Sequence, residues 1–228
     1  MLMPVAHATP LPRNPDITLP LRGKRADESS GLCALGIAMS FGRNVEIYGE
    51  GEPAGNVYKV VSGVVRISKV LRDGRRQISA FHTPGDMFGF EVDDRHHASA
   101  EAVTSVKVIA YKRQSLLAAG ARSADLARDL LNLTMVELRH TQEHVLLLGR
   151  KNALERVAAF LLDFAERTKG NSVVELAMTR HDIADYLGLT LETVSRMFAE
   201  LKQRGVIRLE GARCVHLLDK EQLAAMSA

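Results

Sequence analysis

The sequence predicts an α+β protein: an N-terminal antiparallel β-roll, a long helix, and a smaller C-terminal domain of helices that ends in a β-hairpin. Three observations carry this. Short β-branched runs recur at nearly even spacing between Phe41 and Tyr111, cut by Gly, Asp and Pro turn signals. From Leu116 to Gly149 there is no proline, and apolar residues recur at spacings of three and four. Beyond Gly149, further helical periodicities give way to Val206–Leu209 and Cys214–Leu217, two β runs joined through Gly211.

Residues 1–30 are rich in Pro, Arg, Asp and Ser without apolar periodicity and predict a flexible arm. The β-roll is assigned to 31–120. Its strands are read at Val57-Tyr58-Lys59-Val60-Val61, at Val64 to Val70, at Gln77-Ile78-Ser79-Ala80-Phe81 and at Ser105 to Tyr111. Turns are read at Ser62-Gly63, Asp73-Gly74 and Pro84-Gly85-Asp86. Such a series of short strands closes most simply as an antiparallel barrel or roll.

A helix of some 25 residues is then expected from an N-cap at Ser123 to a C-cap at Gly149, within a segment assigned to 121–149. Leu131, Met135, Leu138, Gln142 and Val145 form a coiled-coil seam on it, with Gln142 as the polar member. Leu126, Leu130, Leu133 and Leu147 form a second apolar stripe. A helix apolar on two faces wants two partners, its own roll and a second copy of the chain, so a homodimer is expected. Residues 150–228 form the last domain. It begins with an amphipathic helix, Ala153 to Arg167, closed by a turn at Lys169-Gly170-Asn171-Ser172 and followed by a short β run at Val173 to Leu176.

Composition excludes several classes. The chain has 228 residues, 46% hydrophobic and 25% charged, with a mean hydropathy of -0.04; general disorder and collagen-like repeats are out. Its uncharged apolar runs fall far short of the roughly 18–20 residues a bilayer span needs, and no signal-peptide pattern opens it, so a cytoplasmic location is expected. Two cysteines, Cys33 and Cys214, cannot build a disulfide framework or a four-cysteine cluster within one chain. A net charge of +3 permits a polyanionic partner without pointing to one. Function has to be read from where particular residues sit.

The informative stretch is Thr179 to Leu201. A helix-turn-helix needs a small residue where its helices nearly touch, a glycine in the tight turn and apolar residues on both sides. Ala184 and Gly188 fill the first two roles, and Ile183, Leu187, Leu189, Val194 and Phe198 the rest. Thr179 and Thr190 stand at the two N-caps. With Thr190 as cap, Leu191, Glu192, Ser195 and Arg196 lie on the first two turns of the second helix, the end that enters a DNA major groove. Arg196 suits the O6 and N7 of guanine, Glu192 a cytosine or adenine amino group, and Ser195 a thymine. Arg180, Thr190, Thr193 and Lys202 are assigned to phosphates. The terminal hairpin, Arg208 to Leu217, would be the wing. Cys214 within it is a candidate redox site, though a small buried residue is its commoner role.

The run from Val57-Tyr58-Lys59-Val60-Val61-Ser62-Gly63 through Gly74, Phe81, Pro84-Gly85-Asp86 and Phe88-Gly89, then a long helix, then Leu189-Thr190-Leu191-Glu192-Thr193-Val194-Ser195-Arg196, resembles the Crp/Fnr superfamily of bacterial transcription regulators. The resemblance runs from about Phe41 to Leu218. It implies a cyclic-nucleotide-binding-like (cupin-like) β-roll, a dimerisation helix and a winged helix, acting as a DNA-bound homodimer that contacts RNA polymerase. The Glu-Thr-Val-Ser-Arg readout helix is similar to the Fnr and FixK side, which implies an inverted repeat of the TTGAT-N4-ATCAA kind with Arg196 on the guanine. The exposed hairpin from Leu71 to Arg76 is a candidate polymerase contact.

Departures from the family pattern narrow the signal. Cys33 alone cannot replace the cysteine cluster of an Fnr-type iron–sulfur sensor, so the FixK-type branch, common in low-oxygen respiration and nitrogen fixation, is implied. Where cyclic-AMP receptors carry an Arg-Ser pair after Gly-Glu, this chain has Gly85-Asp86 followed by His96-His97, with Asp93-Asp94 nearby. Neutral imidazoles beside carboxylates hold a phosphate poorly. The metal-compatible groups Asp93, Asp94, His96, His97 and Glu137, His140, His144 are read as plain surface. No cofactor, no metal and no catalysis are expected, against rival readings as an effector-gated regulator binding haem, a metal or a cyclic nucleotide, or as a cupin-like metal-binding protein with His82 inside the barrel.

Overall fold

The computed structural model describes residues 36–168, 170 and 172–227. The arm at 1–30, Cys33 and two residues of the Lys169–Ser172 turn lie outside them. Eight strands make the roll: β1 Gly36–Phe41, β2 Glu46–Tyr48, β3 Asn56–Ser62, β4 Val65–Val70, β5 Arg76–His82, β6 Met87–Phe88, β7 Ser99–Ala102 and β8 Val106–Lys112. They form two four-stranded antiparallel sheets, ordered β1-β8-β3-β6 and β2-β7-β4-β5. Period-two alternation directs Val60, Val65, Val106 and Val108 into the roll, each almost completely buried, and turns Val57 to the opposite face of its sheet, where it is buried against Met87, Leu116 and Leu126. The Ser62-Gly63 turn requires its glycine: φ is +86°, and a Cβ there would drive into the Ser105 carbonyl.

Helix α1, Arg113–Arg122, follows the roll directly, and α2 runs Ala124–Arg150. Ser123 caps α2 by accepting from the Leu126 N–H at 3.3 Å. Its C-terminus departs from expectation. Gly149 stays inside the helix, and Lys151, in extended conformation, ends it, because Asn152 must turn out to start the next helix. Asn152 and Glu155 form a reciprocal capping box on α3, Ala153–Arg167.

The terminal domain adds β9 Val173–Glu175, α4 Arg180–Leu187, α5 Leu191–Gln203, β10 Ile207–Glu210, β11 Cys214–Leu217 and α6 Lys220–Met226, with strand order β10-β11-β9. Its core is continuous with part of the roll: Val64, Ile78, Phe81 and Val103 join Phe160, Phe164, Ile183, Leu187, Val194 and Phe198 in one apolar cluster. The two halves therefore meet through buried hydrocarbon as well as charge. On α2, Leu126, Leu130 and Leu133 pack toward the roll with Val57, Met87 and Leu116. The seam residues Leu131, Met135, Leu138, Gln142 and Val145 are all exposed. No helix of the described residues is long and apolar enough to cross a membrane.

Candidate nucleic-acid interface

Helix α4 opens on a second capping box. The Asp182 N–H donates to Thr179 Oγ1 at 3.1 Å, while Asp182 Oδ2 accepts from the Thr179 N–H at 3.0 Å and its hydroxyl at 2.8 Å. The remaining oxygen, Asp182 Oδ1, faces the roll, where Arg76 of β5 reaches it at 2.6 Å and Arg66 of β4 at 3.1 Å. Arg76 Nε also donates to Asp185 at 2.7 Å, and Arg66 to Glu101 at 2.9 Å. Burial pushes the Asp182 carboxyl up, but the Thr179 hydrogen bonds and the two arginines more than offset it and hold it below the usual carboxylate range.

The other end of α4 is tied to the long helix. His144 of α2 is buried, hydrogen-bonded through Nε2 to the Tyr186 carbonyl at 2.9 Å and stacked on its ring at 4.1 Å. Burial depresses its pKa and favours the neutral ring. Arg156 donates to the carbonyls of Leu148, Lys151 and Leu187, each at 2.8 Å, so one cation serves the C-terminal ends of both α2 and α4.

Gly188 makes the turn at φ +61°. A Cβ there would meet only ordinary contacts with Leu148 at 3.6 Å and Arg156 at 3.7 Å, so the cost of a side chain is the left-handed backbone. Gly188→Ala is expected to destabilise the chain by about 1 kcal/mol. In urea titration its midpoint falls with an unchanged slope; an unshifted midpoint would show that the turn relaxes to another conformation.

Helix α5 then presents its first turns outward. Thr190 caps it by accepting from the Thr193 N–H at 3.2 Å. Val194, Met197, Phe198 and Leu201 are buried, whereas Leu191, Glu192, Ser195, Arg196 and Lys202 are exposed. Glu192 is held below the usual carboxylate range by its own backbone N–H and the Thr190 hydroxyl. Neither Arg196 nor Lys202 has a partner among the described residues, and no ion pair links Glu192 to Arg196.

Arg180 differs from its expected place at a phosphate. Its guanidinium lies over the Phe198 ring, 3.2 Å from the centroid, with one terminal nitrogen buried and unpartnered. Burial lowers its pKa to about 10. It is half-buried between the two helices of the motif, stacked on α5. Sequence reasoning also missed Arg213, exposed in the wing turn, and the arginine pair on Asp182. The Thr-x-x-Asp spacing at Thr179 was a usable signal for the cap. The polymerase candidate is divided: Leu71 is exposed at the hairpin tip, but Arg76 is drawn onto α4.

The metal-compatible groups do not converge. His97 pairs with Asp93 at the surface, whereas His96 is buried, stacked on Tyr48 at 3.5 Å and directed to Glu91. Glu137 lies 3.9 Å from buried His82, apart from His144. A cyclic nucleotide finds no cradle here. Asp86 Oδ2 accepts from the Thr83 N–H, the Thr83 hydroxyl and Arg167. The cavity of about 340 Å³ between roll and α2 is lined by Tyr48, Phe88, Glu91, Glu137 and Thr141 and contains no arginine or lysine. Two carboxylates without a cation repel a phosphodiester, so the residues present do not fit the group.

Known proteins match this architecture over nearly its whole length. Residues 38–123 match the cyclic nucleotide-binding domain family and residues 155–226 the Crp-like helix-turn-helix domain. The nitrogen fixation regulation protein FixK of Azorhizobium caulinodans is 48% identical over 98% of this chain and 93% of that protein. FixK of Rhizobium meliloti is 42% identical over 79% of this chain and 82% of its own. The solved structure of FixK2 from Bradyrhizobium japonicum superposes with a TM-score of 0.81 at 48% identity, covering 85% of this chain and 98% of that one. With an exposed readout helix braced against a roll and relatives of this length and identity, the chain belongs to the Crp/Fnr family of transcription regulators, closely related to FixK.

Proposed function

We propose that the chain is a cytoplasmic, homodimeric activator without catalytic activity, which binds an inverted repeat of the TTGAT-N4-ATCAA kind and recruits RNA polymerase under low-oxygen or nitrogen-fixing conditions. One observation carries the DNA reading: α5 buries one face and holds Leu191, Glu192, Ser195 and Arg196 out on the other, with Arg196 and Lys202 unpaired among the described residues. An uncompensated arginine next to a carboxylate, both exposed, suits base edges. Thr190, Thr193, Lys202 and the wing's Arg213 are the candidates for phosphate contact, and Arg180 serves to position α5. The physiological setting rests on the names of the relatives, and the roll cavity, hostile to phosphate, favours DNA binding without a nucleotide effector.

The dimer reading rests on the exposed apolar seam of α2. Leu131, Met135 and Val145 are more than half exposed and Leu138 is 49% exposed, unusual for large apolar residues on one stripe. Leu138→Arg leaves the monomer core untouched. It is expected to shift sedimentation from dimer to monomer and to weaken binding of the two-half-site duplex by about 10²–10⁴-fold, the gain that linked binding ordinarily supplies. A variant that stays dimeric with full affinity would place the interface elsewhere. As a test of the reading as a whole, a duplex with a single half-site should lose a comparable factor for the unaltered protein; equal affinity for one and two half-sites would overturn it.

A further inference from the structure

We propose that the wing hairpin holds a zinc-type divalent metal site made by Glu210, Cys214 and His216. The β10–β11 pairing sets Glu210 directly opposite Cys214, and His216, two residues on, shares the Cys214 face. The ligand-capable atoms of the three residues lie within 4.8 Å of one another, and no other such trio occurs among the described residues. His216 Nε2 is 2.7 Å from Glu210 Oε2 and 3.7 Å from Cys214 Sγ.

The donor chemistry matches. One thiolate, one imidazole and one carboxylate are ligands that zinc accepts together, and three protein ligands leave a fourth position for water. With Zn–S about 2.3 Å and Zn–N about 2.0–2.1 Å, a tetrahedral angle separates sulfur from nitrogen by about 3.5 Å, close to the spacing already present. The oxygen–nitrogen pair, now at hydrogen-bond distance, opens by about 0.7 Å as the metal replaces the shared proton. The Glu210 side chain is 72% exposed, which gives the ion a route in, while His216 is only 18% exposed and is held in place.

The proton balance is simple. Cys214 releases its thiol proton to solvent. His216 binds through Nε2 as the neutral ring, its single hydrogen leaving Nε2 and reappearing on Nδ1 by exchange with solvent. That nitrogen now faces Arg208, whose guanidinium lies 3.3 Å away and can only donate. Metal entry therefore turns Arg208 away from the ring, and the ion cross-links β10 to β11. The site stands on the wing's own side chains, and its test needs no DNA, so its outcome is independent of the DNA reading.

The experiment is titration of the metal-free Cys33→Ala chain, in which Cys214 is the single thiol, with Co²⁺ followed by Zn²⁺. One Co²⁺ per chain is expected, with the near-ultraviolet charge-transfer absorption of a thiolate ligand, bleached stoichiometrically by Zn²⁺. Cys214→Ala in that background should abolish the absorption. His216→Gln and Glu210→Gln, with unchanged circular dichroism, should weaken Co²⁺ binding by more than the roughly 10–100-fold that loss of an outer-shell partner costs. Absence of the charge-transfer absorption from the Cys33→Ala chain would overturn the proposal, as would unaltered affinity in the His216→Gln and Glu210→Gln variants.

Discussion

Asp182→Ala is expected to destabilise the protein by about 3 kcal/mol, the low end of the cost of breaking a buried ion pair. Two losses combine: the capping box of α4, on the order of 1 kcal/mol, and the carboxylate that neutralises Arg66 and Arg76. The figure stays at the low end because Arg66 keeps Glu101 and Arg76 keeps Asp185. Urea unfolding checks it; a change within ~0.5 kcal/mol, the range of ordinary surface substitutions, would remove the bridge from the account. The pH dependence has a definite sign. The folded-state pKa of Asp182 is depressed, so its contribution is fully present above the unfolded carboxylate value of about 3.9 and is lost as pH falls through the lower folded value. The stability gap between the unaltered protein and Asp182→Asn should therefore be flat near neutrality and close in acid.

Arg196→Ala should act on binding and leave stability alone, since the side chain is exposed and has no partner among the described residues. Loss of a bidentate guanine contact costs roughly 1–3 kcal/mol per half-site, hence roughly 2–6 kcal/mol for a dimer on a symmetric duplex. Discrimination is expected to relax at one base pair in each half, while affinity for random duplex and its salt slope change little. Equal losses on specific and random DNA would reassign Arg196 to a phosphate. Lys202 offers the contrast, because its removal should weaken all sequences alike and lower the salt slope by about one per half-site, hence about two for the dimer. Arg180, stacked on Phe198, belongs to neither pattern and should register as lost stability.

The helix-turn-helix was the most legible part of the chain because its constraints are local. Thr179 and Thr190 both cap as their spacing predicts, Gly188 takes the left-handed turn, and α3 runs from Ala153 to Arg167 as its periodicity indicates. What escaped was decided by tertiary pairing. Strand β7 is Ser-Ala-Glu-Ala, poor in β-formers, and exists because β2 and β4 flank it. The two residues of β6 are too few for any period to show. Helix α1 has a weak apolar stripe interrupted by Gly120. Gly149 looks like a helix stop in sequence, yet the cap of α3 at Asn152 decides where α2 ends. In the site, the face of α5 could be read from spacing alone. The arginines on Asp182 lie 106 and 116 residues away in the chain, and no local pattern announces such a pair.

The central claim, that α5 reads DNA sequence without a bound effector, is tested most directly by titrating the purified protein, with no added ligand, against a TTGAT-N4-ATCAA duplex and a scrambled duplex at two salt concentrations. The account predicts tighter binding to the inverted repeat by at least about 10³-fold, with both duplexes weakened as salt rises. Equal affinity for the two duplexes at both salt concentrations would contradict it.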